Sequence, residues 1–250
     1  MKIGIIGTGN IGGVLARKLK AAGHEVRVAN SRGVDGVRAF AEEIGVEPAD
    51  IRGAIEGADV IVLSIPLPAL STLPADLFAS VPPGVPIVDT SNYYPGLRDP
   101  KIEAIDQGVT ESIWVTRQIG RPVIKAFNNL LAYTLAELGR ARGAEGRLAA
   151  AVAGDDQKAK GTVMSLVDQV GFDPVDGGTL DESWRQQPCT PCYCCDYDAQ
   201  TMRKALALAV KGRASAIRDE LPRHFQLLGP NPSHDDVVAM NRSFNSLDRR

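Results

Sequence analysis

Lys2-Ile3-Gly4-Ile5-Ile6-Gly7-Thr8-Gly9-Asn10-Ile11-Gly12 is the stretch that decides the fold. A short apolar strand runs straight into three spaced glycines, and a helix-like segment from Gly13 to Ala22 follows. Each glycine has its own role. Gly7 permits a tight turn off the strand, Gly9 has no side chain to block a pyrophosphate, and Gly12 lets helix and strand pack closely. The first-turn amides of that helix then face an anion, where unpaired N–H groups and the helix dipole both favour negative charge. Asn10 and Ile11 complete the turn, and Thr8 adds a hydroxyl.

A second strand, Glu25 to Ala29, ends in Asn30-Ser31-Arg32. A site selective for NAD usually places a carboxylate here to accept hydrogen bonds from the ribose, and that carboxylate would repel a phosphate. Asn30 is neutral, Ser31 can donate, and Arg32 offers a planar charged fork suited to phosphate. The expected cofactor is therefore NADP.

Further strand-like runs recur at Asp59 to Ile65, Pro86 to Asp89, Pro122 to Phe127, Arg147 to Ala153 and Asp173 to Val175. Continuous apolar strands such as Val60-Ile61-Val62-Leu63 read as buried on both faces, as in a parallel sheet covered by helices. Helical patterns separate the strands. Between Asp155 and Gly171, Val163, Leu166, Val167 and Val170 form one apolar face, with Asp155 or Asp156 as a cap and Gly171 as a stop. The expected architecture is α/β, a doubly wound Rossmann-like parallel sheet over residues 1–180 with a C-terminal helical extension over 181–250. The connection from Leu67 to Pro86 is proline-rich, so its helix should be short or broken at Pro74.

Ligands in such sheets lie beyond the carboxyl ends of the strands. That rule puts Ser64, Ile65 and Pro66 beside ribose and nicotinamide, Ala126 near the cofactor and Asn92 near a substrate. Lys125, followed four residues on by Asn129, invites comparison with the lysine of β-hydroxyacid dehydrogenases and is a candidate acid. Trp184 and Arg185 offer a stacking plane and an anion contact, or an anchor for their loop. No tyrosine is followed four places later by lysine, and no G-x-S-x-G elbow occurs, so short-chain dehydrogenase and hydrolase chemistry lack their residues.

The segment Pro188-Cys189-Thr190-Pro191-Cys192-Tyr193-Cys194-Cys195 holds all 4 cysteines. Their crowding argues against a zinc site, which draws ligand pairs from separated elements, and against a secreted disulfide framework. No metal is expected; a redox pair and an ordinary buried thiol-rich loop both stay open. Beyond it, Met202, Ala205, Leu206, Ala209 and Val210 form one helical face, and Ser233 caps a helix from His234 to Leu247 with Val237, Val238, Met240 and Phe244 apolar. These helices are read as a pocket cover or a dimer arm. A formal net charge of -2 gives no sign of nucleic acid or an anionic membrane as partner, and no apolar run reaches bilayer length. The expected location is cytoplasmic.

Residues 2–32, with Ser64-Ile65-Pro66 and Val152-Ala153-Gly154-Asp155-Asp156, resemble the NADPH-dependent oxidoreductases that reduce a deazaflavin coenzyme, over roughly residues 1–180. The resemblance implies that Thr8 to Ile11 contact the pyrophosphate and that Thr8, Ser31 and Arg32 contact the adenosine phosphate. It also implies hydride transfer between nicotinamide and a flat ring, deazaflavin or flavin, stacked upon it, which needs apposition more than a side-chain acid. Two alternatives stand beside it: reduction of a small carbonyl or imine using Lys125, and a non-enzymatic NADP-sensing module.

Overall fold

The computed structural model of the chain describes residues 1–247. Eight strands form one sheet in the order β3-β2-β1-β4-β5-β6-β7-β8. They are β1 (Lys2–Ile6), β2 (Glu25–Ala29), β3 (Glu47–Pro48), β4 (Val60–Leu63), β5 (Ile87–Asp89), β6 (Ile124–Ala126), β7 (Ala149–Ala153) and β8 (Asp173–Asp176). From β3 to β6 every neighbouring pair is parallel. The chain order reverses between β1 and β4, the crevice at which doubly wound sheets take their ligands.

The helices α1 (Gly12–Ala21), α2 (Gly33–Ile44), α3 (Ile51–Ile55), α4 (Glu103–Asp106), α5 (Glu111–Ile119), α6 (Ala132–Glu137) and α7 (Gln157–Gln169) fill the connections. Two cores result. One packs Leu15, Ala16 and Leu19 of α1 and Val163, Leu166 and Val167 of α7 against Ile3, Ile5, Val60 and Val62. The other packs Trp114, Val115 and Ile119 of α5 with Leu67, Leu70 and Phe78 against Ile6, Ile61 and Leu63. All four residues of β4 are buried, so its unbroken apolar run is explained by cover on both faces.

Local signals act as their chemistry dictates. Asp156 caps α7, its carboxylate accepting from the Lys158 and Ala159 amides at 2.9 Å. Gly171, at φ 108, follows the end of that helix. Between β4 and β5 the chain forms only a 3-10 turn over Leu67–Thr72, stopping just before Leu73 and Pro74.

One expectation is corrected: the sheet is not parallel throughout. β7 runs antiparallel to β6, with Lys125 opposite Ala153 and Ala126 opposite Val152, and β8 follows β7. A parallel return would need a crossover element lying along the sheet. Residues 127–148 provide only the six-residue α6, which packs on α1.

After β8 come a 3-10 turn at Asp181–Gln186 and helices α8 (Ala199–Leu208), α9 (Arg213–Asp219), α10 (Leu221–Leu228) and α11 (His234–Ser243). Met202, Ala205 and Leu206 are buried as their spacing requires, whereas Val210 lies past the end of α8 and is 60% exposed. Ser233 caps α11 through a reciprocal capping box with Asp236. The cysteine segment is hydrogen-bonded into the sheet region: the Cys194 amide donates to the Asn129 carbonyl and the Ala149 amide to the Tyr197 carbonyl. Among the described residues no helix is long and apolar enough to cross a membrane.

Candidate active site

The ends of β1, β2, β4 and β5 open on a groove in two parts that share Gly9, Ser64, Ile65 and Pro66. The first part, of about 640 Å³, is lined by Gly7, Thr8, Asn30, Ser31, Arg32, Ile51 and Pro74 among others. The second, of about 350 Å³, is a chamber walled by Asn10, Ile11, residues 90–92, Tyr94, Arg98, residues 130–132, Tyr193 and Cys194.

The glycine turn shapes the first part. Gly7 sits at φ 105, and a Cβ there would meet the Ser64 carbonyl oxygen at 2.1 Å. On Gly12 a Cβ would meet the Gly7 carbonyl oxygen at 1.9 Å, so α1 is drawn tight onto the end of β1. Gly9 differs: a Cβ there meets nothing within 4 Å. Two glycines are needed by the protein's own packing, and the third leaves open the space in front of the turn. No side chain caps the N-terminus of α1, where the Gly13 amide donates to the Gly9 carbonyl at 2.8 Å and the helix start borders that space.

At the far end the Asn30 side chain is spent on the loop. Its amide donates to the Gly36 carbonyl at 3.0 Å and its oxygen accepts from the Arg32 amide at 2.9 Å. That turn sets Arg32 on the rim, where among the described residues its guanidinium has no hydrogen bond or ion pair. An open cradle at Gly9, uncapped amides and a free guanidinium at the end of β2 fit a dinucleotide carrying an extra phosphate.

Beneath the chamber lies a buried ionic cluster. The Lys125 ammonium donates to the Ser91 carbonyl at 2.6 Å and to Asp89 Oδ2 at 3.2 Å, with Glu111 Oε2 3.7 Å away. Asp89 also accepts from the Ser91 amide and hydroxyl and from Ser112. Lys125 is 0% exposed and lines neither part of the groove, which corrects its proposed role as an acid in contact with substrate. It reads instead as the counter-ion that lets two carboxylates sit in the core. Burial pushes the Glu111 carboxyl up to about 7, with Lys125 opposing the shift and Asp89 adding to it. A carboxyl raised on folding contributes stability that is full below the ordinary glutamate range and is lost as pH rises through about 7. Glu111→Gln is therefore expected to flatten the dependence of the urea midpoint on pH between about 5 and 8. An unchanged slope would place the titration elsewhere.

The chamber wall holds residues the sequence did not single out. Tyr94 and Tyr193, 99 positions apart, share a hydrogen bond through their hydroxyls. The Arg98 guanidinium lies 5.1 Å from the centroid of the Tyr94 ring and grips Asp99 through Nε and Nη2 at 2.7 and 2.8 Å. Tyr94 stands five residues past the end of β5, where the strand-end rule points, but nothing local in the sequence marks Tyr193. Of the substrate candidates, only Asn92 reaches the chamber. It is locked to Asn128, donating to that residue's carbonyl at 2.9 Å and accepting from its side-chain amide at 3.0 Å. Ala126 is fully buried in the core. Trp184 lines a separate cavity of about 160 Å³, and Arg185 stacks on it at 4.6 Å while donating to the Leu206 carbonyl.

All four cysteines are free and buried. Burial pushes Cys189, Cys192 and Cys195 up to about 12, and Cys194 well above its ordinary value. Thiols so placed are poor nucleophiles. Cys192 packs with Met202 and Val175, and Cys194 lies on the chamber wall beside Tyr193.

Residues 2–93 match the family described as "NADP oxidoreductase coenzyme F420-dependent". The YjhV protein of Escherichia coli strain K12 is 52% identical over 103 residues, which are 41% of this chain and 75% of that protein. The hypothetical protein SMa0349 of Sinorhizobium meliloti has a solved structure with a TM-score of 0.61 and 30% identity, covering 75% of this chain and 89% of its own. The chain belongs to the coenzyme F420-dependent NADP oxidoreductase family. A solved structure from Arthrobacter sp. FB24, named "putative f420 dependent nadp-reductase", shares this oxidoreductase's fold over 92% of the chain and 94% of its own. Its TM-score is 0.59 and its identity 23%. As a member of this family the protein is an NADP-dependent oxidoreductase.

Proposed function

We propose that this oxidoreductase transfers a hydride between NADP(H) and an acceptor of the ring type, such as a deazaflavin or flavin, held in the chamber beside Ser64-Ile65-Pro66. The observation that carries the reading is continuity: the 640 Å³ part that fits the dinucleotide and the 350 Å³ chamber meet at those three residues and Gly9. Bound NADPH supplies the hydride; the chain's residues bind and orient. Thr8, Gly9, Asn10 and Ile11 with the amides of α1 hold the pyrophosphate, and Ser31 and Arg32 hold the adenosine phosphate. Leu130, Leu131 and Ala132 give the chamber an apolar side, and residues 90–98 give it a polar one. With Lys125 in the core, a carbonyl reductase built on that lysine has no acid at the site.

Arg32→Ala is expected to narrow the preference for NADPH over NADH by about tenfold or more, since a charge-assisted phosphate contact is lost. Calorimetric titration of both cofactors checks it; equal affinities in the wild-type protein would sink the NADP assignment to these residues. NADPH oxidation monitored with flavin, deazaflavin and simple carbonyl acceptors tests the acceptor. Turnover with the rings supports the reading, and turnover confined to small carbonyls refutes it.

A further inference from the structure

The polar side chains of the chamber wall are largely committed to the protein itself. Thr90 Oγ1 donates to the Leu63 carbonyl, Ser91 Oγ to Asp89 and Asn92 Nδ2 to the Asn128 carbonyl. Arg98 gives a donor to the Asn92 carbonyl at 2.6 Å and its charge to Asp99, whose side chain is 2% exposed. Tyr94 and Tyr193 are different, because two hydroxyls that bond each other use one O–H and hold a second in reserve. The Tyr193 hydroxyl also has the Cys194 thiol beside it, a weaker acceptor than a carbonyl oxygen.

We propose that the Tyr94–Tyr193 hydroxyl pair reads the acceptor, donating its spare O–H to an uncharged carbonyl oxygen conjugated to the carbon that takes the hydride. This rests on the hydride-transfer reading above and names the acceptor's chemistry. Among the described residues lining the chamber Arg98 is the one cation, and Asp99 matches it. A carboxylate or phosphate there would find no spare charge, whereas a ring carbonyl needs only a donor. In the step, the acceptor carbon takes the hydride with its two electrons from NADPH. The conjugated π pair moves onto the carbonyl oxygen, and a proton from water at the open mouth completes the reduced acceptor. Burial pushes both phenols well above the ordinary tyrosine range, so they keep their protons and stabilise the developing oxyanion as hydrogen-bond donors. The cysteine segment supports this arrangement, since Cys194, at φ 53, sets Tyr193 in the wall and the Cys195 thiol donates to the Tyr193 carbonyl.

The test titrates 5-deazariboflavin, a neutral ring bearing conjugated carbonyls, into the full chain with and without saturating NADP⁺. Binding to the wild-type protein is expected, and the Tyr94→Phe/Tyr193→Phe double variant should raise its Kd about tenfold, the loss of roughly one good hydrogen bond. Each single variant keeps one free O–H and should stay within about threefold, a redundancy that a merely packing role would not produce. An unchanged Kd for NADP⁺ shows that the variants are folded. The flat carboxylate 2-naphthoate should bind more weakly than 5-deazariboflavin. No binding of 5-deazariboflavin to the wild type, an unchanged Kd in the double variant, or tighter binding of 2-naphthoate would each overturn the proposal. Failure of NADP⁺ to bind the wild type would instead overturn the hydride-transfer reading, and the titration without cofactor would still decide the role of the tyrosines.

Discussion

Lys125→Met is expected to lower stability to unfolding by about 3–5 kcal/mol while leaving the NADPH affinity of the folded protein unchanged. The substitution keeps the length of the side chain and removes its charge. Asp89 and Glu111 would then remain in the core without their cation, although Ser91 and Ser112 still donate to Asp89. Glu111 Oε2 already lacks a hydrogen-bond partner. Breaking a buried pair from one side costs far more than the net worth of the pair, because the surviving charge stays desolvated. Urea denaturation at neutral pH measures the loss, and calorimetry of NADPH binding supplies the control. A folded, fully stable variant with sharply reduced turnover would restore Lys125 as a catalytic group.

Gly12→Ala and Gly9→Ala should separate packing from binding. At Gly12 the added methyl would lie 1.9 Å from the Gly7 carbonyl oxygen and 2.9 Å from Ser64 Cβ, so α1 must move off the end of β1. Overpacking of this kind costs about 1–3 kcal/mol of stability, and displacing the α1 amides should weaken NADPH about tenfold or more. At Gly9 the methyl meets no protein atom, so thermal stability should be unchanged while NADPH affinity falls by a similar factor. Melting temperatures and cofactor titrations of the two variants measure the contrast. If Gly9→Ala binds NADPH as well as the wild type, the pyrophosphate does not pass in front of the turn.

The opening strand and the glycine turn were legible because their requirements are local. A tight turn, an uncapped helix start and a strand end are settled by neighbours within a few positions. The same holds for the cap at Asp156 and the short 3-10 turn before Pro74. Lys125 misled because its position at a strand end implied access to ligand. Its surroundings come from Asp89 and Glu111 on other elements, which bury it completely. Tyr193 was invisible for the converse reason: its partner Tyr94 is 99 residues away, and no periodicity links them.

The sequence by itself determined the glycine turn between β1 and α1 and seven of the eight strands in their order along the chain, missing only the two-residue β3. These follow from backbone sterics and hydrophobic periodicity, which act over short stretches of chain. Only the tertiary structure decided the reversal of β7, the burial of the Lys125 cluster and of the cysteines, and the pairing of Tyr94 with Tyr193 in the wall of the 350 Å³ chamber. Each of these depends on which distant segments share a neighbourhood, and that is set by how the whole chain packs its two cores around the sheet.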